Sequence, residues 1–270
     1  MVRTSLGYPG VLAATMLASA AILTLPAKVE AAPPIRTTNT NQVPACATPE
    51  RLMAFLKDRN PHLDPRYLNI ASLYKLYGEG WHVRWDYAFF QMAIETNFLK
   101  YRRGDGRRGD VSASQNNFAG IGATGHGAPG ERFPDVATGV HAQIQHLVAY
   151  SGEHLAQPIA RRTRNNQDDI IKSSHRLGRP VTFGDLARRW AADRNYGKSI
   201  DFIAGEFRDR YCSATNTQSA EQITPPVPQP AYRWRELTWQ PSGLGGPLPE
   251  AVPDPKPAPP EVDVSSSATR

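Results

Sequence analysis

Residues 85–121 read WDYAFFQMAIETNFLKYRRGDGRRGDVSASQNNFAGI. From Tyr87 to Phe98 almost every side chain is apolar or small, a run of about three helical turns. A helix that is apolar all round belongs inside a core. Asp86 is placed to cap its start. The two clearly polar side chains within it, Gln91 and Glu95, stand four apart and so share a face. A buried carboxylate is costly unless paired, so Glu95 must find a partner or open onto a cleft. An apolar surround suits a general acid, whose proton must stay on near neutral pH. A structural Glu clamped by an arginine fits this helix equally well.

The text beyond Glu95 separates these readings. Asn116-Asn117-Phe118-Ala119-Gly120-Ile121-Gly122 follows a helix ending in ETNF. Further on come FPDVATGVHAQIQHL from Phe133 and WAADRNYGKSI from Trp190. In that order the three blocks resemble those of the bacterial glucosaminidases of glycoside hydrolase family 73, the cell-wall autolysins. The resemblance covers roughly residues 60 to 211. It implies a lysozyme-like fold, and an endo-β-N-acetylglucosaminidase that cuts the β-1,4 bond after N-acetylglucosamine in peptidoglycan. Glu95 would be the acid, and no metal or organic cofactor is implied. It also implies an active-site role for Tyr196, the tyrosine of the Asn-Tyr block, and a second acid beyond the NNF motif, where Glu131 falls. Asp105, Asp110 and Asp135 are the other candidates for this second acid. The sequence around Glu131, HGAPGERFPD, is shorter than the hairpin many members carry, so Asp110 and substrate assistance by the acetamido group stand beside Glu131.

Eight glycines between residues 101 and 132 exclude regular helix there. That stretch reads as a loop with at most a short hairpin, lying over the end of the Glu95 helix. It would bring Asn117, Phe118, Gly120 and Gly122 to the carboxylate, with amide and backbone N–H groups suited to sugar hydroxyl and acetamido groups. Gln91 joins them from the shared helix face. The cluster Arg102, Arg103, Arg107 and Arg108 reads as a cationic rim, or as a merely solvated loop.

Outward from this centre, the chain reads as mainly α. Thr48-Pro49 is an N-cap and first-turn proline. Tyr67, Ile70, Leu73, Tyr74 and Tyr77 recur at helical spacing until Gly78. Residues 138–151 form an amphipathic helix stopped by Gly152, Thr182 opens another that carries Trp190, and a last one places Ile200, Ile203, Phe207 and Tyr211 on one face. Cys46 and Cys212, the only cysteines, bracket this region and are expected to form a disulfide outside the cytoplasm.

An apolar run from Val11 to Leu25 followed by Val29-Glu30-Ala31 reads as a signal peptide cleaved after Ala31, shorter than a spanning helix requires. The expected organisation is therefore signal peptide 1–31, linker 32–45, a single catalytic domain 46–212 and a tail 213–270. Twelve of the 24 prolines fall in that tail, which reads as disordered and able to recruit an envelope partner. A net charge of +6 and a pI near 9.4 fit an acidic wall polymer; secretion removes nucleic acid from the expected partners.

Other chemistries find little support. GIGATG at residues 120–125 spells a dinucleotide fingerprint but lacks the preceding strand and following helix. His141 and His146 are five apart and no HExxH occurs, against a zinc peptidase. No GxSxG occurs either. A lytic transglycosylase shares the single helical Glu, although its usual Gly-Leu-Met-Gln-type motif is missing. A non-catalytic glycan-binding or assembly protein would use the same cleft without needing a second acid.

Overall fold

The helix read over Tyr87–Phe98 forms as α3 (Trp85–Glu95), starting two residues earlier and ending three earlier than expected, and it is buried from Trp85 to Ala93. The structure, a computed structural model, describes residues 32–102, 105–109, 111–123 and 129–212. The expected signal peptide, the Pro-rich tail, Arg103 and Asp110 lie outside the described residues. Around α3 stand α1 (Pro49–Arg59), α2 (Ile70–Gly80), α4 (Val136–Tyr150), α5 (Arg161–His175) and α6 (Tyr196–Tyr211). Three short 3₁₀ turns, Pro65–Tyr67, Ala113–Gln115 and Phe183–Leu186, complete the elements, so the described chain is mainly α and holds isolated bridges but no named strand. No helix among the described residues is long and apolar enough to cross a membrane.

The α3 helix packs against α2, α4 and α6. Its apolar sequence on every side follows from that position. One end of the core is aromatic: Phe55 meets Phe90, Phe98, Phe207 and Tyr211 edge-on, at centroid distances of 5.7–6.4 Å. The Cys46–Cys212 disulfide joins α1 to α6 beside this cluster, with Cα atoms 5.3 Å apart. Thr48 caps α1 by accepting from the Arg51 N–H, and Pro49 occupies the first turn.

Four local expectations change. Asp86 does not cap α3. Arg84 holds the cap position, and Asp86, in the first turn, accepts 2.9 and 2.6 Å bonds from the Arg84 guanidinium, both side chains being buried. Arg84 also donates to Asn41 (2.7 Å), so this ion pair fastens residues 32–45 to the helix. That segment, expected as a linker, is a strap instead: Ile35 is fully buried, and its backbone bonds Val181 and Arg84. Gly78 does not stop α2, which runs on to Gly80; a Cβ at Gly78 would lie 2.2 Å from that of Trp85, so the glycine serves close packing of α2 on α3. The helix expected after Thr182 shortens to one 3₁₀ turn, because Ala187 is extended and Arg188 adopts φ +61°.

Helix α5 was not expected at all. Its buried residues Thr163, Gln167 and Ser174 are polar, so it carries no apolar periodicity.

Candidate functional site

Glu95 is the last residue of α3 and is half-buried. The chain just beyond it turns left-handed: Asn97, Phe98, Leu99 and Tyr101 have φ of +47, +55, +61 and +54°. Such residues are disfavoured with an L side chain and persist only where the surroundings over-determine them. Here Phe98 N–H bonds Ala93 O (2.7 Å), Tyr101 N–H bonds Thr96 O (2.8 Å), and buried Asn60 donates to Phe98 O (2.9 Å). The turn ends the helix sharply, so that Glu95 sits at a rim rather than mid-rod.

From the first residue of α6, the Tyr196 hydroxyl donates a short hydrogen bond to Glu95 Oε1. Behind it, Gln91 Nε2 donates to the Tyr196 oxygen (3.0 Å). Gln143 of α4 in turn donates from Nε2 to Gln91 Oε1 (2.9 Å) and to the Ala88 carbonyl (3.1 Å), while Tyr74 of α2 donates to Gln143 Oε1. Gln91, Gln143 and Tyr74 are fully buried and Tyr196 nearly so. Burial, with the Glu95 charge adding to it, pushes the Tyr196 phenol well above its ordinary value, and burial does the same to Tyr74. Both stay neutral donors.

The glycine-rich stretch does lie over Glu95. A Cβ at Gly120 (φ +64°) would stand 3.3 Å from Glu95 Oε2, and one at Gly122 (φ +78°) would stand 3.2 Å from Glu131 Cγ. The Gly120–Gly122 backbone therefore passes close to both carboxyl side chains, in left-handed conformations at Gly120 and Gly122 that favour glycine. Two anchors hold it there. The Asn116 carbonyl would lie 1.8 Å from a Cβ at Gly139, so the loop rests directly on α4. Trp190 donates from Nε1 to Ala119 O (3.2 Å).

Asn117 and Phe118, expected as sugar contacts, are structural. Asn117 is fully buried; its amide donates to the Ile121 and Glu131 carbonyls and accepts from Ile121 N–H. Phe118 is fully buried and edge-on to Tyr67. A saturated amide and an enclosed ring have nothing left to offer a ligand. Gln91 likewise reaches Glu95 only through Tyr196. Gly120 and Gly122 remain beside the carboxylates.

The second acids fare differently from Glu95. Glu131 accepts from the Arg161 and Arg162 N–H groups (2.8 and 2.5 Å), which makes it the cap of α5 although thirty residues separate them in sequence. Asp135 caps α4 by accepting from Thr138 N–H (2.7 Å). Asp105 is exposed and accepts from Arg107 N–H (3.0 Å). Arg102, Arg107 and Arg108 are exposed, and Arg102 and Arg108 form an isolated antiparallel bridge. A cavity of about 320 Å³ opens beside Gly122, Glu131, Arg161, Arg162, Asn165 and Asn166. A wider hollow of about 520 Å³, along His154, Asp168, Lys172 and His175, contains none of the residues around Glu95.

The two histidines set aside as a zinc pair hold separate structural contacts. His141 Nε2 accepts from Trp81 (2.9 Å) and its ring stacks on Tyr77; His146 bonds Thr163 (2.9 Å).

An uncharacterized protein of Borreliella burgdorferi is 34% identical to the chain over 157 residues, which span 57% of this chain and 70% of that protein. The chain belongs to the same family as that protein. No family model matches the chain, and no solved structure matches it.

Proposed function

We propose that this chain, as a member of the family it shares with the Borreliella protein, is an exported peptidoglycan hydrolase of lysozyme-like fold. Its reaction is that of an endo-β-N-acetylglucosaminidase of the glycoside hydrolase family 73 type. The observation that carries this reading is the pairing of half-buried Glu95 with the Tyr196 hydroxyl, with the Gly120 backbone beside its other oxygen. Glu95 protonates the glycosidic oxygen, the C1–O bond breaks with its electron pair going to that oxygen, and charge develops on the ring. With Tyr196 on Oε1, the proton for transfer sits on Oε2, the oxygen turned toward Gly120. A disulfide fits export, and the exposed Arg102, Arg107 and Arg108 suit an acidic glycan.

One observation favours a second reading. Both Glu131 oxygens are engaged as the cap of α5, so this carboxylate is poorly disposed to activate water. Single-carboxylate routes remain: assistance by the substrate's acetamido group, or the internal ring closure of a lytic transglycosylase. A glycan-binding protein without catalysis would need no second acid either.

The test is mass spectrometry of soluble fragments from purified sacculi, treated with residues 32–270 or with its Glu95→Gln variant. Reducing-end N-acetylglucosamine, absent with the variant, is the expected result. Anhydro-muramyl ends would make the protein a transglycosylase. Binding without fragments from either form would leave a glycan-binding protein.

A further inference from the structure

The chain of buried hydrogen bonds behind Glu95 has a direction, and one backbone carbonyl sets it. Ala88 O can only accept, so the Gln143 group facing it at 3.1 Å is the amide nitrogen. That same nitrogen faces Gln91 Oε1 at 2.9 Å, which fixes Gln91 in turn with Nε2 toward Tyr196. The Tyr196 oxygen then accepts from Gln91, and its one proton is left for Glu95 Oε1. Turning either amide over would set nitrogen against nitrogen or oxygen against oxygen. Tyr74 satisfies the remaining oxygen of Gln143 and does not set the direction.

We infer that Gln143 and Gln91 are positioning residues that lock Tyr196 as a donor to Glu95 Oε1 and so confine the catalytic proton to Oε2, the oxygen beside Gly120. This rests on the hydrolase reading above. A Tyr196 free to rotate could accept from a protonated Glu95, and the proton would then sit on Oε1, pointing into the protein. In the locked arrangement Oε2 gives its proton to the glycosidic oxygen as the C1–O bond breaks. The carboxylate left behind already holds a donor on Oε1, and no group has to reorganise. Tyr196 thus acts through Glu95 and is not itself a base or nucleophile.

Gln143→Glu tests the direction. A carboxylate there offers only oxygen to Gln91, whose amide turns over and presents Oε1 to Tyr196; the hydroxyl then donates to Gln91 and leaves Glu95. Two readouts on residues 32–270 separate the lock from the hydrolase reading. The first is the NMR signal of the Tyr196 hydroxyl proton, assigned by its loss in Tyr196→Phe. It is expected far downfield in the parent protein, to move upfield in Gln143→Glu, and to keep its place in Tyr74→Phe. The second is turnover on sacculi: kcat in Gln143→Glu falls by roughly ten- to a hundredfold with KM within about twofold, the mark of a loss confined to the transition state. Gln91→Met, which frees the Tyr196 oxygen without burying a charge, is expected to lower kcat in the same way if Gln143→Glu does not fold. Folded Gln143→Glu and Gln91→Met that both leave the signal and kcat unchanged overturn the inference. A parent protein without turnover whose hydroxyl signal still moves in Gln143→Glu sinks the hydrolase reading and leaves the lock standing.

Discussion

At the scale of single residues, the carboxylates differ in what they are bonded to, and that difference underlies the separate roles proposed for them. Glu95 receives a side-chain hydroxyl at the end of a buried network, next to a glycine. Glu131 receives two backbone N–H groups at the start of α5, where the helix dipole also favours negative charge. We expect Glu131→Gln to lose about 0.5–2 kcal/mol of stability, as other lost N-caps do. Turnover on sacculi should stay within about tenfold of the parent, well above the hundredfold or greater loss typical of a removed acid or base. Thermal unfolding beside a sacculus assay decides it. A stable protein with turnover abolished would return Glu131 to the chemistry and refute its assignment as a cap.

At the scale of elements, the loop over Glu95 is held by the flat face that α4 presents at Gly139. Gly139→Ala would drive a Cβ to within 1.8 Å of Asn116 O, so the loop must lift. The expected cost is about 1–3 kcal/mol, with turnover lost although Gly139 touches no substrate. Gly205, inside α6 with open space where its Cβ would stand, is the opposite case. Gly205→Ala should gain about 0.5–1 kcal/mol from helix propensity. Unfolding midpoints of the two variants moving in the same direction would contradict this account. The same elements explain what the sequence made legible. A lone carboxylate in an apolar run exposed Glu95, and cap residues exposed the start of α1, because both are local signals. Helix α5 was hidden, since its buried positions Thr163, Gln167 and Ser174 are polar and satisfied by distant partners: Gln167 exchanges bonds with Leu155, and Ser174 donates to Tyr150 O. Asn117 and Phe118, read as sugar contacts, are fully buried in the structure. Their residue types carry no mark of whether they face the ligand or the core. Gln143 was missed because its importance lies in pairing with Gln91, fifty-two residues away, and no periodicity encodes that.

At the scale of the whole molecule, two devices set the conditions under which the fold survives. The Cys46–Cys212 bond closes a loop with a sequence separation of 166. On the chain-entropy account its reduction should cost about 5 kcal/mol, so a reductant should lower the unfolding midpoint sharply; an unmoved midpoint would mean that the aromatic cluster, with the Arg59–Glu206 ion pair and the Tyr211–Asp58 hydrogen bond, holds α1 to α6 without it. The second device is acid sensitivity from two histidines, His146 buried and His141 half-buried. Burial lowers His141 to about 4 and His146 to about 3, Arg162 adding to the latter, against an ordinary value of 6.5. Below pH 6.5 the unfolded chain takes up these protons while the folded chain does not. Stability therefore is fully present above pH 6.5 and falls as the pH drops toward 4 for His141 and toward 3 for His146. At pH 5 the His146 contribution alone corresponds to roughly 2 kcal/mol, from 1.36 kcal/mol per pH unit below 6.5. Denaturant unfolding at pH 7 and pH 5 measures the loss directly. In His146→Gln the difference between the two pH values should shrink by about that amount; if it does not, His146 is already protonated in the fold, and its bond to Thr163 must be one in which the ring donates.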